Sequence, residues 1–149
     1  MGRTVLIVDD HAGFRAAARG LLEAGGFDVL GEAADGASAL AAVAKLQPEI
    51  VLLDVQLPDL DGFAVAERLA RDGVPSAIVL ISSRDVSSFR RRLAANPAWS
   101  FIPKSERSEV LLGALRLVQS GGTYVPSRLL TAPPATPSLE LTPRQLDVL

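Results

Sequence analysis

The stretch that most constrains this chain is Ile50 to Asp54, IVLLD, an unbroken apolar run closed by a carboxylate. A run this short, β-branched at its start and free of polar side chains, is the pattern of a strand buried on both faces. Parallel sheets covered by helices contain such strands. Asp54 then stands at the carboxyl end of its strand, the edge where open α/β sheets place ligands and chemistry.

The same pattern recurs. Thr4 to Val8 (TVLIV) ends on Asp9 and Asp10, Ala77 to Ile81 (AIVLI) runs into Ser82 and Ser83, and Trp99 to Ile102 (WSFI) leads to Pro103 and Lys104. Phe27 to Glu32 alternates more weakly and reads as a half-buried or edge strand. Between these runs lie segments with apolar residues at helical spacing: Phe14 to Leu22, Ala37 to Leu46, Phe63 to Arg71, and Val86 to Ala95. A further one spans Val110 to Gln119, with Ser105 in N-cap position and Glu106 in the first turn. Glycines or prolines stop most of them, as at Gly25 and Gly26, Pro48, Pro97, and Gly121 and Gly122. Five strands alternating with five helices predict a doubly wound parallel sheet with right-handed crossovers.

Totals set the outer bounds. A length of 149 residues suits one domain of ordinary size, and 48% hydrophobic residues are enough for its core. A net charge of -2 gives this chain no overall electrostatic footprint for nucleic acid. Cysteine is absent, which excludes disulfides and thiolate metal sites and mildly favours a reducing cytosol. No apolar run approaches the roughly 18 residues of a membrane span, and the first one is too short for a secretory signal. The expectation is a soluble cytoplasmic protein.

Asp9, Asp10, Asp54, Ser82 and Lys104 all fall at strand ends on one sheet edge. Neighbouring strands lie about 4.8 Å apart, so these side chains can converge. Three carboxylates in one pocket repel one another unless a cation joins them or their pKa values rise. An all-oxygen donor set suits a hard ion such as Mg2+, with a backbone carbonyl from the loop after Asp54 as a further ligand. A carboxylate beside Mg2+, a lysine and a hydroxyl is equipped to accept a phosphoryl group as an aspartyl-phosphate.

Two acids after the first strand, VLLDVQLPDLDG around the third, LISS after the fourth and FIPKS after the fifth resemble the receiver domain of two-component response regulators. The spacings agree: 28 residues from Asp54 to Ser82 and 22 from Ser82 to Lys104. The resemblance implies a flavodoxin-like fold with strand order 2-1-3-4-5. It implies that Asp54 is the phosphoacceptor and that Asp9, Asp10, Asp54 and the Gln56 main-chain carbonyl hold Mg2+. Ser82 would follow the phosphoryl group, Lys104 would pair with it, and Phe101 would be the switch aromatic, turning inward. The donor would be a sensor histidine kinase, and the chain would be no enzyme beyond its own phosphorylation and dephosphorylation. Departures from the pattern are Asn96, Pro97 and Ala98 in place of a small turn, the bulk of Trp99, and a phenylalanine at 101, where tyrosine is frequent.

The tail carries a second resemblance. GGTYVPS, a proline-rich stretch (TAPPATPS) and LTPRQLDVL are similar to the join between receiver and helix-turn-helix effector in the NarL/FixJ (LuxR-type) regulators. It implies a receiver at 1–122, a linker at 123–138, and the first part of a truncated DNA-binding domain at 139–149. Transcriptional control, a homodimer, and DNA contact only through the missing effector would follow.

Rival readings are a stand-alone phosphotransfer receiver and a Mg2+-dependent aspartyl-phosphate phosphohydrolase; Gln56 stands where the latter needs a second acid. Other residues have plainer readings: His11 as a loop histidine, Asp59 and Asp61 as turn formers, Arg90 to Arg92 as a solvated helix face, Trp99 as packing.

Overall fold

The structure, a computed structural model, describes residues 3–126. Of the two segments expected after the receiver, the effector portion (139–149) and the linker beyond Pro126 lie outside the described residues.

The apolar runs form the sheet. β1 (Thr4–Val8), β2 (Asp28–Ala33), β3 (Ile50–Asp54), β4 (Ala77–Ser82) and β5 (Ser100–Pro103) pair in parallel in the order β2-β1-β3-β4-β5. This is the doubly wound sheet that the apolar runs predict, in the flavodoxin-like order that the family resemblance implies. Parallel neighbours need crossovers. These are α1 (Ala12–Ala24), α2 (Gly36–Leu46), α3 (Gly62–Arg71), and a 3-10 turn (Val86–Phe89) leading into α4 (Arg90–Ala95); α5 (Ser108–Gln119) follows β5.

Side chains alternate across the sheet and build a core on each face. Leu6, Val8, Val51, Leu53 and Leu80 join Phe63, Leu69 and Phe101 on the side of α2, α3 and α4. Val5, Ile7, Ile50, Leu52, Val79 and Ile81 join Leu22, Leu111 and Leu115 on the side of α1 and α5. Each such fully buried side chain contributes about 1.5–3 kcal/mol of transfer free energy. β2 is an edge strand, as its weaker pattern predicts, with alternating exposure and a register shift against β1 between Val5 and Leu6.

Three expectations are corrected. The continuous helix over Val86 to Ala95 is broken. Asp85 accepts a bond from the Ser87 amide and starts a 3-10 turn, and Phe89, which ends it, turns into the core. Ser87 and Ser88 have modest helix propensity, and burying Phe89 decides the local geometry over continuity. Ser105 is not the N-cap of α5: a turn from Pro103 to Glu106, closed by the Glu106 amide on the Pro103 carbonyl at 3.1 Å, takes it up, and Arg107 is the cap. The fifth strand begins at Ser100, leaving Trp99 as a buried residue before it.

The outer side of β5 is not bare. The chain leaving α5 returns along it: the Phe101 amide donates to the Tyr124 carbonyl, and the Tyr124 amide donates to Ser100 Oγ, both at 2.9 Å.

Candidate functional site

β1 and β3 are adjacent, so their carboxyl ends bring Asp9 and Asp54 together, and β5 delivers Lys104 across β4. Asp9 is fully buried and Asp54 is 2% exposed, whereas Asp10 points to solvent. Lys104 Nζ lies 2.7 Å from Asp9 Oδ2 and 3.3 Å from Asp54 Oδ2, bridging the two carboxylates. Its backbone is fixed by donation from the Lys104 amide to the Ser82 carbonyl at 2.8 Å, and its ammonium sits 4.8 Å from the centre of the Phe14 ring.

Asp54 is held by its own loop. The Gln56 amide donates to Asp54 Oδ1 at 3.1 Å, and the Gly62 amide donates to the Val55 carbonyl at 2.7 Å. A side chain at Gly62 would drive its Cβ into the Asp54 carbonyl oxygen, so glycine is the residue that lets α3 start this close to the acceptor. Burial pushes the Asp54 carboxyl above its ordinary pKa, with the Asp9 charge adding to it; the Gln56 amide and Lys104 oppose the rise without cancelling it. Burial draws the Lys104 ammonium down, but bonds and charges from Asp9 and Asp54 outweigh it and the net direction is up. A lysine in this setting stays charged.

Ligand atoms of Asp9, Asp10, His11 and Asp54 lie within 4.8 Å of one another. The donor set fits a hard divalent cation: three carboxylates and an imidazole converge, with buried Asp9 Oδ2 answered only by the Lys104 ammonium at 2.7 Å. Gln56, whose carbonyl the sequence reading assigns to the metal, forms an isolated bridge with Asp61 that closes the loop.

Ser82 and Phe101 occupy definite positions. Ser82 is the last residue of β4 and fully buried, and its hydroxyl accepts from the Arg84 amide at 3.0 Å. No hydrogen bond joins it to Asp54 among the described residues. Phe101 is already inward, fully buried, its ring centre 5.6 Å from Phe89. Phe89 in turn meets Phe63 at 5.5 Å, and Phe63 meets Trp99 at 6.0 Å, so the expected switch aromatic is the end of a four-ring stack.

Sequence reasoning passed over several contacts. His11 Nδ1 lies 3.2 Å from carboxylate oxygens of both Asp9 and Asp10, so this loop histidine belongs to the acidic cluster. Arg92 is not simply solvated: it stands 4.2 Å over the Phe63 ring and pairs with Asp61 at 3.1 Å. Asp61 is the N-cap of α3, accepting from the Ala64 amide. Asp59 bonds not to its own turn alone but to the start of α2, at the Gly36 and Ala37 amides. The contacts of Arg92 with Asp61 and Phe63 and of Asp59 with α2 join residues far apart in the chain, so no local pattern announces them.

A buried carboxylate at the β3 end, a second acid pair at the β1 end and a lysine reaching in from β5 define the class of the domain. The family described as the response regulator receiver domain matches residues 5–116, and the chain belongs to it. Among curated relatives, it is 37% identical over 131 residues to BvgA, a transcription regulator of virulence factors in Bordetella pertussis, a match covering 88% of this chain and 63% of that protein. It is 35% identical over 154 residues to the nitrate/nitrite response regulator protein NarP of Escherichia coli, covering 97% and 72%. The signal receiver domain of the response regulator NarL from Mycobacterium tuberculosis superimposes with a TM-score of 0.72 at 30% identity, over 79% of this chain and 96% of that one. The chain thus spans less than two thirds of the length of BvgA.

Proposed function

We propose that this domain is a phosphorylation-controlled switch in which Asp54 accepts a phosphoryl group from a sensor histidine kinase with Mg2+ present. The observation that carries the reading is Asp54 itself: a buried carboxylate, raised in pKa, with a lysine ammonium 3.3 Å from one oxygen and an amide 3.1 Å from the other. A carboxylate stripped of water is a better nucleophile than a solvated one, and Lys104 favours its ionised form against the burial that raises its pKa.

Asp54 attacks the phosphorus of the donor phosphohistidine. An oxygen–phosphorus bond forms, the phosphorus–nitrogen bond breaks, and the imidazole leaves with the electron pair. Lys104 meets the charge carried by the transferred oxygens, and Ser82, released from the Arg84 amide, is within the same wall to bond one of them. Asp9, Asp10, Asp54 and the Gln56 carbonyl would hold the Mg2+, which when bound supplies positive charge against the phosphoryl oxygens. The same residues govern loss of the phosphoryl group to water, and the domain carries out no other reaction.

The output reading is supported by one relative in particular: BvgA is a regulator of transcription. This chain would regulate transcription in the cytoplasm through a DNA-binding segment beyond the described residues, with a second copy of itself as partner in the active state. Incubation with a small phosphodonor such as acetyl phosphate and Mg2+ tests the core of this. Mass spectrometry should show one added phosphoryl group on wild type and none on Asp54→Asn or without the ion; equal labelling of Asp54→Asn would end the assignment.

A further inference from the structure

The loop after the phosphoacceptor must present the Gln56 carbonyl and the Asp54 carboxylate together, yet it is a surface loop whose residues Gln56 and Pro58 to Asp61 are exposed. Its base is closed by the Gln56–Asp61 bridge and by the Gly62 amide on the Val55 carbonyl. Its tip is held from outside. Asp59 Oδ1 accepts from the Gly36 amide at 2.7 Å, and Asp59 Oδ2 accepts from the Ala37 amide at 2.9 Å.

α2 has an N-cap of its own. Asp35 accepts from the Ser38 amide at 2.8 Å and from Ser38 Oγ at 2.7 Å. The amides of the first turn are therefore shared between two acids 24 positions apart, and Asp59 takes the two that Asp35 does not reach. Gly36 permits the approach, since a Cβ there would come within 2.9 Å of Leu60 Cβ and 3.2 Å of Asp59 Oδ1. The two amides, at the positive end of the helix dipole, hold the Asp59 carboxyl below the usual carboxylate range, so it is ionised wherever Asp54 works.

We propose that Asp59 is a positioning residue of the phosphoacceptor site: its two-toothed grip on the α2 amino terminus fixes loop 55–61 so that the Gln56 carbonyl and Asp54 face one cation. The proposal rests on the reading of this site as a Mg2+-assisted phosphoacceptor and adds the element that sets its loop. Residues supporting ligands from behind govern affinity by fixing ligand direction rather than by contact.

The test separates positioning from simple helix capping. Asp59→Ala and Asp35→Ala each remove acceptors from the same helix end, but only the first frees the loop. Titration calorimetry with magnesium chloride on the whole chain should show Mg2+ affinity about tenfold weaker in Asp59→Ala, the lower end of the range for such supporting residues. Asp59→Asn, with one acceptor left, should fall between. Asp35→Ala should lower the melting temperature comparably yet bind Mg2+ as wild type does. Unchanged affinity in Asp59→Ala, or equal loss in Asp35→Ala, would overturn the proposal while leaving the phosphoacceptor reading intact. Failure of wild type itself to bind Mg2+ would sink the cation reading, and the proposal with it.

Discussion

The β3–α3 connection and the β4–α4 connection lie side by side on the same sheet edge and are built in opposite ways. The first is tied at every step: the Asp54 carboxylate to the Gln56 amide, the Val55 carbonyl to the Gly62 amide, Asp59 to α2, Asp61 to α3 and to Arg92. The second passes through a 3-10 turn into a helix of 6 residues whose N-cap, Phe89, offers no side-chain acceptor. A helix that short has little stability of its own and depends on packing. Its packing rests on Phe89 and Leu93, with Arg92 as an outer tie to Asp61 and Phe63. The lesson is a difference in support: the side that carries Asp54 is tied by bonds at each step, whereas the neighbouring short helix depends on its packing.

The contrast can be broken at its strongest point first. Phe89→Ala should cost about 3–4 kcal/mol, because it empties the centre of the ring stack between Phe63 and Phe101. Chemical denaturation would measure it, and hydrogen exchange should show α4 opening well before α3. Gly62→Ala attacks the rigid side: it should cost about 2–3 kcal/mol by forcing α3 off the Asp54 carbonyl, and it should suppress labelling by acetyl phosphate.

Asp54→Asn should act in the other direction. Asp54 has a raised pKa in the fold, so its contribution favours folding below the ordinary carboxylate value near 4 and is lost as pH rises through the raised value. At neutral pH without Mg2+ the variant should therefore be the more stable, by about 1 kcal/mol, and the gap should close on acidification. Thermal melts at both pH values check this, and a gap that widens in acid would refute it. Arg92→Ala should have the smallest effect on stability, within about 1 kcal/mol, since its pair with Asp61 is half exposed. Faster amide exchange confined to α4 would sharpen the comparison; an equal rise in α3 would blur it.

The sequence reading succeeds where the physics is local. Strands buried on both faces announce themselves by unbroken apolar runs, and all five strands are recovered within a residue of their ends, with Asp9, Asp54, Ser82 and Lys104 at the edge they share. It fails where one contact outweighs a local pattern. Val86 to Ala95 has helical spacing throughout, yet burying Phe89 under the Phe63 and Phe101 rings breaks the run into two pieces. Ser105 is a good cap by type but is consumed by the turn after Pro103. Asp59 looks like any acid in a proline-containing turn, and only the fold brings Gly36 and Ala37 beneath it. Phe101 is the mixed case: its place in the fifth strand is legible, whereas its packing against Phe89, which meets Phe63 and through it Trp99, depends on rings from elsewhere in the chain.

The return of the chain along β5 has a bearing on how copies of this domain can meet. A terminal strand with free amides and carbonyls invites another chain to add itself, and growth of that sort is open-ended. Here Tyr124 answers the Phe101 amide and Ser100 Oγ answers Tyr124, so that margin of the sheet is already spoken for. The opposite margin, β2, displays the charges of Asp28 and Glu32, the latter engaged by Arg15 and Arg19. Strand addition is thus opposed at one margin by the returning chain and at the other by charge.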